Sequence, residues 1–200
     1  MKFEKEITVS INTSKEELIK FLENNNYRKI NDYIVDDIYY VENKVDLNSN
    51  ALDILKKCIL VRTINETNHT LVYKYKEYDS NENIINEGKS KIQIYNREEA
   101  KEFLESIGYR ELIHIVDEMN IYEKDGLELG VQYVNDKYLY IEVEENDKYN
   151  TIDKLKKALE ETNIDYDKTD YFVKKAKIIF EEKYISSMDE FYNKYIEEEK

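Results

Sequence analysis

The chain of 200 residues has no proline, one cysteine, two histidines and four glycines, and each scarcity excludes a kind of chemistry. Cys58 has no partner for an intrachain disulfide. It reads as a buried apolar side chain beside the strand that begins at Ile59, not as a nucleophile. His69 and His114 are the only histidines, and His69 falls in a predicted turn. Neither a Ser-His-Asp triad nor a His-rich zinc site has support. The few glycines form no phosphate-cradling loop. No apolar run approaches the roughly 20 residues of a membrane-spanning helix. The first ten residues already carry Lys2, Glu4, Lys5 and Glu6, so no signal peptide is expected, and the expected location is cytoplasmic. The absence of proline fits uninterrupted strands.

What is present is enough for a folded domain. The residues are 41% hydrophobic and 12% aromatic, which can build a core, and 37% charged, which marks a very polar surface. The length suits one domain with a helical appendage. A formal net charge of −14 gives no overall positive field to draw in phosphate backbones, so general nucleic-acid binding is not expected. A local cationic pocket remains compatible with that charge. Asparagine runs such as Asn24–Asn26 read as solvated loops, and the 19 tyrosines read mainly as packing residues.

The stretch Ile59–Lys76 organises the rest. It reads as two alternating strands, Ile59–Ile64 and Leu71–Lys76, joined by a polar turn. Successive strand side chains point to opposite faces. One face therefore carries Leu60, Arg62, Ile64, Val72, Lys74 and Lys76, and the other Ile59, Val61, Thr63, Leu71, Tyr73 and Tyr75. Further strands are predicted over Phe3–Ile11, Tyr33–Val41, Lys89–Tyr95, Leu112–Tyr122, Leu127–Val134 and Tyr138–Glu144, with a loop and short helical turn over Val45–Lys57 and a turn-rich link over Asp79–Asn86. Ser14 with Glu17, Asn96 with Glu99, and Thr151 are helix N-caps. Helices are also predicted from about Lys168 to Lys183 and from Ser187 to the end. The fold class is α+β: an eight-stranded antiparallel β-barrel with flanking helices and a helical C-terminal segment. Residues 1–185 form the barrel domain in this reading, and 186–200 a last helix packed on it.

Several strands pair one apolar face with one charged face. Glu4 and Glu6 lie on the first, Arg62, Lys74 and Lys76 on the central pair, and Glu142 and Glu144 on the last. Charge at every second strand position is the ordinary mark of a wet sheet face. It equally fits a closed barrel whose apolar faces turn outward under helices and whose charged faces line a lumen. In a lumen, carboxylates suit a hard divalent cation and Arg and Lys suit phosphate oxygens. Periodicity does not choose between the two.

The order of short motifs resembles the CYTH superfamily, the triphosphate tunnel metalloenzymes, which includes class IV adenylyl cyclases, inorganic triphosphatases and thiamine triphosphatases. EKEITVSI resembles the family's opening E-x-E-x-K strand, DDIYY its D-x-Y-Y/F segment, CILVRTI its A-L-R-I-R strand and LVYK its L-T-x-K strand. EEAKEFLESIGY resembles the helix ending in L-G-F, YLYIEVEE the closing F-I-E-I-E strand, and TDYFVKKAKIIFEE a C-terminal helix. The resemblance implies an eight-stranded tunnel. It also implies Mg²⁺ or Mn²⁺ on Glu4, Glu6, Glu142 and Glu144, and a small-molecule triphosphate on Arg62 and Lys74, with Lys76 added from the same strand face. A monomer or homodimer is expected, with neither nucleic acid nor membrane as a partner. It assigns no catalytic residue.

The chain departs from the pattern at several site positions. Thr8 stands where the family has lysine. Lys89, Lys91 and Gln93 stand where carboxylates are expected, Glu118 and Asn120 where cations are expected, and Gln132 in place of an acid. Two readings follow. One is a metal-dependent enzyme in which water or a ribose 3′-hydroxyl attacks a phosphate. The other is a non-catalytic module that keeps the tunnel as a scaffold for binding.

Overall fold

Alternation of apolar and polar residues builds nine strands: β1 (Lys2–Phe3), β2 (Glu6–Ser10), β3 (Arg28–Glu42), β4 (Lys57–Ile64), β5 (Asn68–Tyr78), β6 (Ile84–Ile94), β7 (Tyr109–Lys124), β8 (Leu127–Val134) and β9 (Tyr138–Glu144). The structure, a computed structural model, describes residues 2–3, 5–80, 82 and 84–184. The strands form one sheet in the order β1-β6-β5-β4-β3-β7-β8-β9-β2. Every neighbouring pair is antiparallel. β1 and β2 are successive strands near the start of the chain. Phe3 pairs with Gly88 of β6, and Glu6 pairs with Glu144 of β9. One segment thus touches both outer strands of the sheet, which curls it into the eight-stranded barrel expected from the sequence. Closing a barrel in this way removes the aggregation-prone edges of an open sheet.

Tight turns hold the hairpin registers. Asn65 and Glu66 between β4 and β5 have φ of 49° and 64°, and Asn135 and Asp136 between β8 and β9 have 49° and 53°. Left-handed backbone at both central residues matches the twist of the flanking strands. The stretch expected as a link before β6 is partly strand, since β6 begins at Ile84 and its Glu87 pairs with Lys76.

Helices cover the outside. α1 (Lys15–Asn24) starts at Ser14, whose hydroxyl accepts from Glu17 N at 3.2 Å while Glu17 Oε2 accepts from Ser14 N at 3.1 Å. α2 (Ala51–Leu55) is the short turn expected before the central hairpin. α3 (Arg97–Ser106) and α4 (Ile152–Glu161) start at Asn96 and Thr151. Residues 175–184 form α5. Ile7, Val9, Val131, Ile141 and Val143 face outward onto Leu18 and Leu22 of α1 and Leu155 and Leu159 of α4. On the opposite wall Ile38, Tyr40 and Val61 pack under Leu104 of α3. None of the described helices is long and apolar enough to cross a membrane.

Two expectations need correction. The helix predicted from Lys168 begins at 175 instead, and the residues before it are extended along β2. Thr8 N donates to Tyr171 O at 3.0 Å, Val173 N to Thr8 O at 3.0 Å, and Asp167 N to Ser10 O at 2.8 Å. The Asp167 and Asp170 carboxylates accept from Thr169 N and Phe172 N at 2.8 and 2.7 Å. Such local bonds compete with helix, and the edge of β2 supplies the rest. Second, the barrel interior is not polar throughout. Tyr39, Leu60, Val72, Ile113, Val134 and Tyr140 also face inward, and Ile179 and Phe180 of α5 pack onto them. The last predicted helix, from Ser187, lies outside the described residues.

Gly108 ends α3 with φ of +90°, and its carbonyl accepts from Asn43 N at 2.8 Å. A Cβ there would meet nothing within 4 Å, so Gly108→Ala costs only backbone strain. The expected loss is about 1 kcal/mol, read in thermal melting as a fall of roughly 2–4 °C for a domain of this size.

Candidate functional site

The inward positions of β2 to β9 bring charged side chains together around a cavity of about 440 Å³. Six cationic side chains line it (Arg62, Lys74, Lys76, Lys89, Lys91 and Lys175), and so do six carboxylates (Glu6, Asp37, Glu87, Asp117, Glu142 and Glu144). Five of the cations come from β4, β5 and β6, which make a basic wall. Glu6, Asp117, Glu142 and Glu144 come from β2, β7 and β9, which make an acidic wall opposite. Fully ionised, these groups sum to zero, as burial of charge requires.

The basic wall is held by two carboxylates of its own. Arg62 and Asp37 are cross-strand partners, and the guanidinium donates through Nε and Nη2 to the two Asp37 oxygens at 2.7 and 2.6 Å. This is the forked geometry that makes Arg–carboxylate pairs strong. Glu87 receives three lysines: Lys76 at 3.2 Å, Lys89 at 3.4 Å and Lys74 at 3.7 Å. Burial alone would raise its pKa, but Lys74, Lys76 and Lys89 together hold it well below the usual carboxylate range. Lys89 also reaches across to Glu6 at 3.6 Å.

On the acidic wall, Glu6, Glu142 and Glu144 each place a carboxylate oxygen within 4.8 Å of the others. Burial, and then the charge of Glu142, push the pKa of Glu6 up, with Lys89 acting against them. Burial would likewise raise Glu142, but Lys175 and the Gln132 side chain bring it below its ordinary value. Asp117 is raised by burial, although Lys175 stands 3.5 Å away. Lys175 also lies 3.6 Å from Glu142 and donates to Oε1 of Gln132. A second cavity of about 360 Å³ adjoins this wall and shares Tyr33, Met119, Glu142 and Glu144 with the first.

The structure therefore gathers Glu6, Arg62, Lys74, Lys76, Glu142 and Glu144 around one cavity, while Glu4 lies outside the described residues. Thr8, Lys89, Lys91 and Gln132 also line it. Glu118 and Asn120 do not. On β7 the inward residues are Asp117 and Met119, and Glu118 faces outward to bind Lys15 at 2.6 Å. Lys89, which faces inward, pairs with Glu6 and Glu87. In the DDIYY segment Asp36 also faces out, where it accepts from Arg97 at 2.8 and 2.6 Å and contacts His114 Nε2 at 2.7 Å.

Sequence reasoning missed Asp37, Glu87, Asp117 and Lys175. Asp37 shares the alternation of Tyr39 and Val41, which was a usable signal. Glu87 lies two residues before Lys89 on the same strand face, but the surrounding Asn and Ile pattern hid the strand.

Neither a protein-family model nor a characterised sequence matches the chain, but solved structures do. The Pyrococcus horikoshii protein PH1819 superposes with a TM-score of 0.62 at 18% identity, covering 84% of this chain and 95% of its own. HpAC1 from Hippeastrum, an adenylyl cyclase candidate described as having a dominant triphosphatase activity, gives 0.61 at 13% identity, covering 90% and 95%. A chain of the Schizosaccharomyces pombe Mediator head module gives 0.56 at 9% identity, covering 82% and 98%. The fold is the CYTH-like tunnel fold.

Glu87 gives a test of the charge network. Glu87→Gln leaves Lys74, Lys76 and Lys89 without their common partner, and breaking a buried pair from one side costs roughly 3–5 kcal/mol. Because the folded-state pKa of Glu87 is depressed, its contribution is complete above the ordinary Glu pKa and is lost as pH falls below it toward the folded-state value. The variant is expected to melt lower at neutral pH and to lose part of the acid-side decline, measured as melting temperature from pH 7 to pH 3.

Proposed function

We propose that the lumen binds a small molecule bearing a triphosphate together with a divalent cation, and that it hydrolyses the triphosphate. The observation that carries this reading is the opposition of the two walls across one cavity. Three carboxylates within 4.8 Å of one another face a cluster of one arginine and several lysines. Hard oxygen ligands at that spacing fit Mg²⁺ or Mn²⁺, and the crowding that raises Glu6 beside Glu142 is relieved by a cation. A bound metal would supply charge neutralisation at the phosphate oxygens and polarise the phosphorus centre.

The chain's own residues do the positioning. Arg62, held flat by Asp37, offers its remaining N–H groups to a phosphate oxygen. Lys74, Lys76 and Lys89 converge on Glu87 and offer their charge to a polyanion that enters beside it. The adjoining cavity with Tyr33 and Met119 gives room for an organic group attached to the phosphates. Water as the nucleophile gives a triphosphatase; a substrate hydroxyl in its place gives a cyclase. The Hippeastrum structure with its dominant triphosphatase activity supports the hydrolytic reading.

A second reading is a binding module without turnover. It is favoured by the self-neutralised lumen, where the cations already have carboxylate partners, and by the occurrence of this fold in the Mediator head module.

The test is a thermal-shift panel with tripolyphosphate, ATP and thiamine triphosphate, with and without Mg²⁺ or Mn²⁺. A ligand at a hundred times its Kd adds about 2.7 kcal/mol, or roughly 5–10 °C here. A metal-dependent shift of that size with any triphosphate is the expected outcome, and no shift with all of them overturns the reading. The double variant Glu142→Gln/Glu144→Gln is expected to abolish the metal dependence of the shift. Phosphate release, measured by colorimetry with the ligand that shifts most, is expected on the hydrolytic reading and absent on the module reading.

A further inference from the structure

The proposed use of the acidic wall requires Glu142 to bind a metal, yet Glu142 already faces a cation supplied by the chain. Lys175 Nζ lies 3.6 Å from Glu142 Oε2 and 3.5 Å from Asp117 Oδ2, and donates to Gln132 Oε1. Lys175 is the first residue of α5. A cation in the first turn opposes the helix dipole, so helix formation does not favour lysine there, and the carboxylates of β7 and β9 offset it. The next residues of the same helix, Ala176, Ile179 and Phe180, pack against the apolar part of the barrel interior.

We propose that Lys175 is a built-in counter-ion of the acidic wall, which competes with a divalent cation for Glu142 and so couples metal occupancy to the seating of α5. The inference rests on the metal role given above to Glu6, Glu142 and Glu144. A divalent ion on those oxygens brings a second positive centre to the carboxylate that Lys175 neutralises. Repulsion between the two drives the ammonium away from Glu142, and its backbone carries the start of α5 with it. Conversely, a firmly seated helix keeps the affinity for metal low. The substrate triphosphate then has a second task, since its negative charge can accommodate both cations at once.

The test uses Mn²⁺ alone, with no triphosphate, and the full chain. Free Mn²⁺ is counted by electron paramagnetic resonance during titration of the wild type, Lys175→Gln and Lys175→Arg. Lys175→Gln is expected to bind Mn²⁺ at least tenfold more tightly than wild type, and Lys175→Arg, which keeps the charge, within about twofold of it. Equal or weaker binding by Lys175→Gln overturns the inference, as does the absence of Mn²⁺ binding by all three chains. Hydrogen exchange on the wild type stands independently of how the variants fold. Amides 176–184 are expected to exchange faster when Mn²⁺ is added, and unchanged protection overturns the coupling. The tripolyphosphate thermal shift judges the triphosphate reading separately, since it scores a ligand that these measurements omit.

Discussion

Charge turned into a barrel must meet opposite charge inside the barrel, and much of this structure follows from that constraint. A buried ion without a partner costs several kcal/mol, so inward-facing charges have to arrive in matched sets from strands that the register brings side by side. Asp37 and Arg62 are direct cross-strand partners, and so are Lys76 and Glu87. Glu142 and Thr8 are paired as well, which brings a small polar residue, not a second carboxylate, directly beside that carboxylate. A one-residue slip in any of these pairs would turn the whole inner set outward. The charges therefore fix the register as firmly as the apolar residues do.

The inner face also serves two purposes. Where charges predominate it leaves a cavity; where Leu60, Val72, Ile113 and Val134 predominate it accepts Ile179 and Phe180. The two regions meet at the start of α5, where Lys175 belongs to the charged set and Ala176 touches both. Packing and electrostatics are joined through that one turn of helix. The seating of the helix and the state of the acidic wall cannot change independently.

Much of this architecture was legible in the sequence, and the residues that were not share physical causes. In the central hairpin one face alternates cleanly, so Arg62, Lys74 and Lys76 could be assigned to one side. The hairpin around Asn135 and the caps at Ser14, Asn96 and Thr151 rest on local bonds and were equally plain. β7 is different, because Ile113 is buried inside the barrel while Tyr122 is buried under the outer helices, and the register with β3 shifts beside Leu112. With apolar residues on both faces the alternation carries no sign, and Glu118 was assigned inward in place of Asp117. Lys175 was invisible for another reason. Its helix begins where β2 stops competing for the backbone of 171–173, a tertiary effect that no local pattern records. The CYTH-like order of motifs identified the fold and pointed to Glu6, Arg62, Lys74, Glu142 and Glu144, which line the cavity, but it gave no sign of Asp37, Glu87, Asp117 or Lys175, the charged groups that pair with them or with one another.

The stitching of both outer strands by the N-terminal segment has a consequence for how the molecule assembles. The earliest of the described strands is the last that can be placed, since β2 must wait for β9 and β1 for β6. The β2–β9 pairing joins opposite ends of the sheet-forming chain and the β1–β6 pairing joins its start to its middle, and contacts of such long sequence separation are slow to form. The central hairpin and the β7–β8–β9 meander are local and can form early. Without those pairings the sheet is an open trough whose edge strands and charged interior are wet, and the return of the β1–β2 segment seals it. Chain closure and desolvation of the ionic lumen are thus one event, placed at the end of folding.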